Sequence, residues 1–133
     1  MSRSIRALLL STMLVLAAGC TSQPIQNIER PLPADSNRTP VQVQAAIVES
    51  LSKLKWQVQR SSTDTIYAEI TVRGRHHAEI TIPFSSQNYA INYRSSSGLD
   101  EKNGKIHRNY NKWVSILDKN IQGKLNVSPQ PSE

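Results

Sequence analysis

The sequence predicts an α+β domain, a two-layer sandwich in which a four-stranded antiparallel meander is flanked in sequence by two covering helices, in the order α-β-β-β-β-α. Three observations lead there. Apolar residues recur at helical spacing after Thr39 and again from Ile106 to Leu125. Between these stretches the chain alternates apolar with polar, as strands with one buried face do. Gly and Asn/Ser turn signals separate the alternating runs.

Thr39-Pro40-Val41-Gln42 opens the folded unit: Thr is followed three residues later by Gln, and Pro takes the first helical position, the pattern of a capping box. Val43, Ala46, Ile47, Leu51 and Leu54 fall on one stripe, with Gln42, Gln44, Glu49 and Lys53 outside it. Trp56 and Val58 alternate with Gln57 and Gln59 in a short first strand. Ile66, Ala68, Ile70 and Val72 alternate with Tyr67, Glu69, Thr71 and Arg73; after Gly74-Arg75, Ala78, Ile80, Ile82 and Phe84 alternate with His77, Glu79 and Thr81. This is a hairpin with one apolar face, and Pro83 marks its end or a free edge. The stretch 85–88 turns into a fourth strand carrying Tyr89, Ile91 and Tyr93. A loop over 95–105 leads to a last helix with Ile106, Tyr110, Trp113, Val114, Leu117, Ile121 and Leu125 toward the core.

The chain has 133 residues, room for one domain. Its 38% hydrophobic content excludes a multi-span membrane protein, and its one cysteine excludes an internal disulfide. Four segments are expected. Residues 1–19 are an export signal, with Arg3 and Arg6 ahead of an uncharged apolar run over 7–18, too short to span a bilayer. Residues 20–38 are a lipidated start and flexible tether containing Pro24, Pro31 and Pro33. Residues 39–125 are the domain, and 126–133 a disordered tail.

Leu16-Ala17-Ala18-Gly19-Cys20 resembles the lipobox of bacterial lipoproteins, with Ala17 where Leu is commonest. The resemblance implies diacylation of Cys20, which becomes the new N-terminus. Two acyl chains anchor stably where one does not, so the chain would be held at the membrane without spanning it. Thr21 follows the cysteine, where an Asp would imply inner-membrane retention. The expected address is therefore the periplasmic face of the outer membrane. Trp56, Ile91-Asn92-Tyr93 and the run from Ile106 to Asn111 with Trp113 also resemble a group of short uncharacterised proteobacterial lipoproteins, a likeness that implies fold and address but no activity.

The sequence holds no HExxH, GxSxG or dinucleotide-binding glycine pattern. The stretch 98–106 has five residues between its glycines and Ile where a P-loop needs Ser or Thr; Asp100 and Asn103 are misplaced for a calcium loop. His76 and His77, adjacent on a strand, point to opposite faces and cannot chelate one ion, so no metal and no cofactor is expected. Pairing of Ser95, Ser96 or Ser97 with His107 for catalysis rests on chain proximity alone.

The candidate ligand-binding residues are Arg94, Lys105, His107, Arg108 and Asn109. Cations in a first helical turn oppose the helix dipole. Lys105, His107 and Arg108 therefore either pair with Asp100 or Glu101 or receive an anion there. Arg94, His107, Arg108 and Asn109 are expected to converge at the end of the fourth strand, with Tyr110 and Trp113 in the core. Without Arg3 and Arg6 the net charge falls from +6 to +4, a modest excess suited to anionic envelope surfaces and not to nucleic acid. The expected function is a lipid-anchored periplasmic noncatalytic binding or interaction module in envelope assembly or maintenance, its partner an envelope protein or an anionic cell-wall component. The alternatives are an anionic small-ligand or glycan-binding module and, third, a cell-wall hydrolase.

Overall fold

A computed structural model describes residues 21–126; the expected export signal, Cys20 and all but the first residue of the expected tail lie outside the described residues. The elements in chain order are β1 (Ser22–Pro24), β2 (Ile28–Pro31), α1 (Pro40–Lys53), β3 (Gln57–Ser61), β4 (Thr65–Val72), β5 (His76–Pro83), β6 (Asn88–Ser97), β7 (Lys105–His107) and α2 (Arg108–Asn126). The architecture is α+β: a five-stranded antiparallel sheet in the order β2-β6-β5-β4-β3, a separate β1-β7 pair, and two helices.

The meander from β3 to β6 follows from the period-2 pattern. Ile66 lies opposite Ile82, Ala68 opposite Ile80 and Ile70 opposite Ala78, and these side chains are buried. They form one core with Val43, Ile47 and Leu51 of α1 and Tyr110, Val114, Leu117 and Ile121 of α2. Tyr93 packs edge-on to Tyr110, with ring centroids 5.4 Å apart at 86°.

Thr39 and Gln42 form the reciprocal capping box that the sequence signalled, with each backbone N–H donating to the other's side-chain oxygen at 3.0 and 3.2 Å. The helix ends in a Schellman motif, where Trp56 N–H donates to Leu51 O at 2.9 Å and Lys55 N–H to Ser52 O at 3.2 Å. Lys55 holds the left-handed position, φ +70°, that usually falls to Gly. The chain then delivers Trp56 into the core.

Three expectations are corrected. The segment expected to be a free tether supplies two strands. β1 pairs with β7, and β2 adds a fifth strand to the sheet beside β6, with Ile28 buried opposite Ile91. Pro24 and Pro31 sit at strand ends, where a missing N–H costs little. Asn111 fastens this segment, its Nδ2 donating to Pro24 O at 2.9 Å and its Oδ1 accepting from Gln26 N–H at 3.0 Å.

The expected loop is also shorter. β6 runs on to Ser97, and Lys105 and His107 belong to β7, so only Arg108 of the three expected first-turn cations opens α2. Gly98 (φ +71°) makes the exit from β6 possible: a Cβ there would lie 2.0 Å from Arg75 O in the β4–β5 turn. The third correction is in β3, whose residues are all exposed; Val58 does not continue the buried alternation begun by Trp56.

Candidate functional site

The alternation that buries Ile66, Ala68 and Ile70 turns Tyr67, Glu69 and Thr71 to the other face of the sheet, where Tyr67 and Glu69 remain part-exposed and Thr71 is exposed. The β4–β5 register places Tyr67 opposite Thr81, Glu69 opposite Glu79 and Thr71 opposite His77. Two carboxylates directly opposed across a ladder repel each other, so their neighbours matter.

Two β-bulges supply those neighbours. Between β3 and β4 the register passes from Val58–Ala68 to Arg60–Tyr67, leaving Gln59 as an extra residue. Between β5 and β6 it passes from Glu79–Ser95 to Ile80–Tyr93, leaving Arg94 as an extra residue. Both extra residues reach the carboxylate pair. Gln59 Nε2 donates to Glu69 Oε2 at 3.0 Å and to Glu79 Oε1 at 2.7 Å. Arg94 Nη2 lies 3.3 Å from Glu79 Oε1 and donates to Gln59 Oε1. Ser95, on the far side of the bulge, donates its hydroxyl to Glu79 Oε2.

His77 completes the cluster. Its Nε2 lies 3.8 Å from Glu69 Oε2 and 4.0 Å from Glu79 Oε1, while Nδ1 is 2.9 Å from Thr71 Oγ1. One ligand atom from each of Glu69, His77 and Glu79 falls within 4.8 Å of the others. Hydrogen bonds from Ser95 and Gln59, helped by the charges of Arg94 and His77, hold the Glu79 carboxyl below the usual range for glutamate; desolvation opposes this shift and is outweighed. Beside the cluster the Arg60 guanidinium stacks 4.1 Å from the Tyr67 ring centroid, and that of Arg94 5.2 Å from it. Gln59, Arg60, Tyr67, Glu79 and Arg94 line an open depression of about 480 Å³.

The residues expected to converge are divided between two places. Arg94 lies on the open sheet face with its polar partners Glu79 and Gln59. Arg108 and Asn109 line a different depression, of about 460 Å³, with Gln23, Gln26, Asn111, Lys112 and Ser115. His107 is held locally, its Nδ1 accepting from Asn109 N–H at 3.2 Å, and Lys105 pairs with Pro24 in the β1-β7 ladder. Among the described residues neither Asp100 nor Glu101 forms an ion pair with Lys105, His107 or Arg108. His76 turns away from His77, its Nδ1 lying 2.8 Å from Gly98 O, so the adjacent histidines do not share a site.

Glu69, Glu79 and Gln59 lie outside the site residues that the sequence predicts. The signal for the carboxylate pair was a hairpin register symmetric about Gly74, which sets Glu69 across from Glu79. Periodicity carries no trace of the bulge that delivers Gln59.

No protein-family model matches the chain, and no curated protein matches it. No helix among the described residues is long and apolar enough to cross a membrane.

Proposed function

We propose that this chain is a noncatalytic interaction module, lipid-anchored through Cys20 on the periplasmic face of the outer membrane, and that the open sheet face is its binding surface. The observation that supports the surface most directly is the pair of bulges. Each interrupts a ladder to bring a polar side chain to the Glu69–Glu79 pair, Gln59 to both carboxylates and Arg94 to that of Glu79, and bulges characteristically re-aim side chains beside functional sites. Arg60, Tyr67 and Arg94 add a cationic and aromatic rim that suits an envelope protein or an anionic cell-wall component. The anchor reading draws on the apolar run over 7–18 and the lipobox-like Leu16–Cys20, and it carries the membership in the lipoprotein group with it.

The test is crosslinking in intact cells with a photoreactive residue in place of Arg60, compared with one in place of Lys119 on the exposed side of α2. A defined envelope component should be captured from position 60 and not from 119. Equal capture from both, or none from either, removes the binding-surface assignment. The anchor is tested separately, since a clickable fatty acid should label the wild type and leave Cys20→Ala unlabelled.

A second reading, an anionic small-ligand or glycan module, is favoured by one observation. Arg108 and Lys112 border a polar depression, and Arg108 has no ion-pair partner among the described residues. Anionic glycan fragments should then perturb the Arg108 and Asn109 resonances in solution, and Arg108→Ala should abolish the perturbation without lowering thermal stability. Equal loss of stability assigns Arg108 to structure.

A further inference from the structure

We infer that Glu69, His77 and Glu79 form a binding site for one divalent transition-metal ion of the zinc class on the open sheet face. The inference is independent of which partner the module engages. It rests on donor chemistry, on spacing and on the contact of Thr71 that orients the imidazole, taken together.

The donor set is mixed. One imidazole nitrogen and two carboxylate oxygens are the ligand types zinc takes in sites that leave a coordination position open. Metal–ligand bonds of about 2.0–2.2 Å put neighbouring ligand atoms of a tetrahedral site about 3.3–3.6 Å apart. His77 Nε2 is 3.8 and 4.0 Å from the two carboxylate oxygens and all three ligand atoms lie within 4.8 Å of one another, so shifts of about half an ångström for the imidazole contacts and up to about 1.3 Å between the carboxylates, on part-exposed side chains, would bring them into that range. The ligands come from two adjacent interior strands of a packed sheet, at i and i+2 on β5 and directly opposite on β4, so their backbone positions are fixed by the ladder.

The imidazole is also oriented from behind. Thr71 Oγ1 lies 2.9 Å from His77 Nδ1, and with Nδ1–H donated to it the Nε2 lone pair faces the carboxylates, the arrangement found around metal-bound histidine. Charge favours a cation as well. Two carboxylates share the site, and Arg94 pairs with Glu79 alone, leaving Glu69 with the amide of Gln59 and the ring of His77. The Gln59 amide nitrogen already sits between the two carboxylates as a donor, in the position a cation would contest.

The experiment is calorimetric titration of zinc chloride into the tag-free full chain in detergent, with far-UV circular dichroism of every variant. One ion per chain should bind, with a Kd tighter than about 100 µM. His77→Ala and the isosteric Glu69→Gln should each weaken binding about tenfold or more, and Thr71→Val, which removes only the orienting acceptor, about tenfold. His76→Ala should leave affinity unchanged. Absence of saturable binding overturns the site, and so does binding that survives both His77→Ala and Glu69→Gln, which would be an adventitious ion only. Should His77→Ala fail to fold, Glu69→Gln decides. Because no partner enters this titration, its failure leaves the crosslinking result standing, and the reverse also holds.

Discussion

The guanidinium of Arg30 in β2 forms a forked ion pair with the buried carboxylate of Asp118 in α2, donating from Nε at 3.0 Å and from Nη2 at 2.8 Å to Oδ2. The Tyr89 hydroxyl donates to Oδ1 of the same carboxylate at 2.6 Å. Burial, and then this hydrogen bond and the charge beside it, raise Tyr89 above the ordinary phenol pKa, so it is a donor at neutral pH. The asymmetry is informative: the Asp118 side chain is 4% exposed and that of Arg30 44%, so Asp118 depends on the pair more than Arg30 does. Arg30→Ala would leave a buried carboxylate with one neutral donor, and the loss should be about 2 kcal/mol, below the range for a fully buried pair because water reaches the guanidinium side. Urea denaturation measures it. Arg30→Lys should recover less than half, since an ammonium cannot fork; full recovery would show that charge alone matters.

Acid should weaken the fold in part through Glu79. Its carboxyl titrates lower in the folded chain than in the unfolded one, so the unfolded state binds more protons as pH falls. The stabilisation is fully present above the unfolded value of about 4.3 and is lost as pH drops through the lowered folded value. Glu79→Gln removes the titrating group while keeping its shape. Plotted against pH from about 5 down to 3, the urea midpoint of this variant should fall less steeply than that of the wild type. Identical slopes would mean that Glu79 contributes nothing to acid sensitivity.

Lys55 occupies the left-handed position of a helix-ending motif at φ +70°. An L-residue with a Cβ is strained there by about 1–2 kcal/mol, while Gly is free of the strain but loses more entropy on folding. The difference favours Lys55→Gly by about 0.5–1 kcal/mol, seen as a melting temperature higher by about 2–4 °C. A lower melting temperature would show that the lysine side chain makes a compensating interaction.

Much of the fold was legible because its elements obey single rules. Thr39 and Gln42 announce a helix start by residue type and spacing, and the β4–β5 hairpin by strict alternation about Gly74. What escaped depends on distant partners. Pro24, Pro31 and Pro33 read as a tether because proline weakens any strand, yet β2 needs only one neighbour, and Ile28 finds it in Ile91. Asp118 was a readable clue. It lies four residues after Val114 and three before Ile121 on the apolar stripe of α2, and a charge there requires a partner from elsewhere in the chain. Arg94 stands among the residues the sequence predicts for a site, but its neighbours differ, because the bulge at β5–β6 turns it toward Glu79 and no periodicity reports an extra residue. Arg108 and Asn109 line a depression that neither Arg94 nor His107 joins.

The N-terminal strands make the last prediction. A chain beginning at Thr39 would retain the meander and both helices but lose Ile28 from the core, Arg30 from Asp118 and the ladder that β2 makes along β6 from Asn88 to Ile91. Burial of one Ile contributes about 1.5–3 kcal/mol and a stranded carboxylate costs a comparable amount, so the shortened chain should lose about 3 kcal/mol or more. β6 would also become an exposed edge beside Ile91 and Tyr89, a template for pairing with another chain. The measurements are a thermal melt and light scattering at matched concentration. The expectation is a melting temperature lower by about 10 °C or more, together with concentration-dependent association. A shortened chain that melts within about 2 °C of the full one and stays monodisperse would return residues 21–38 to the role of a tether.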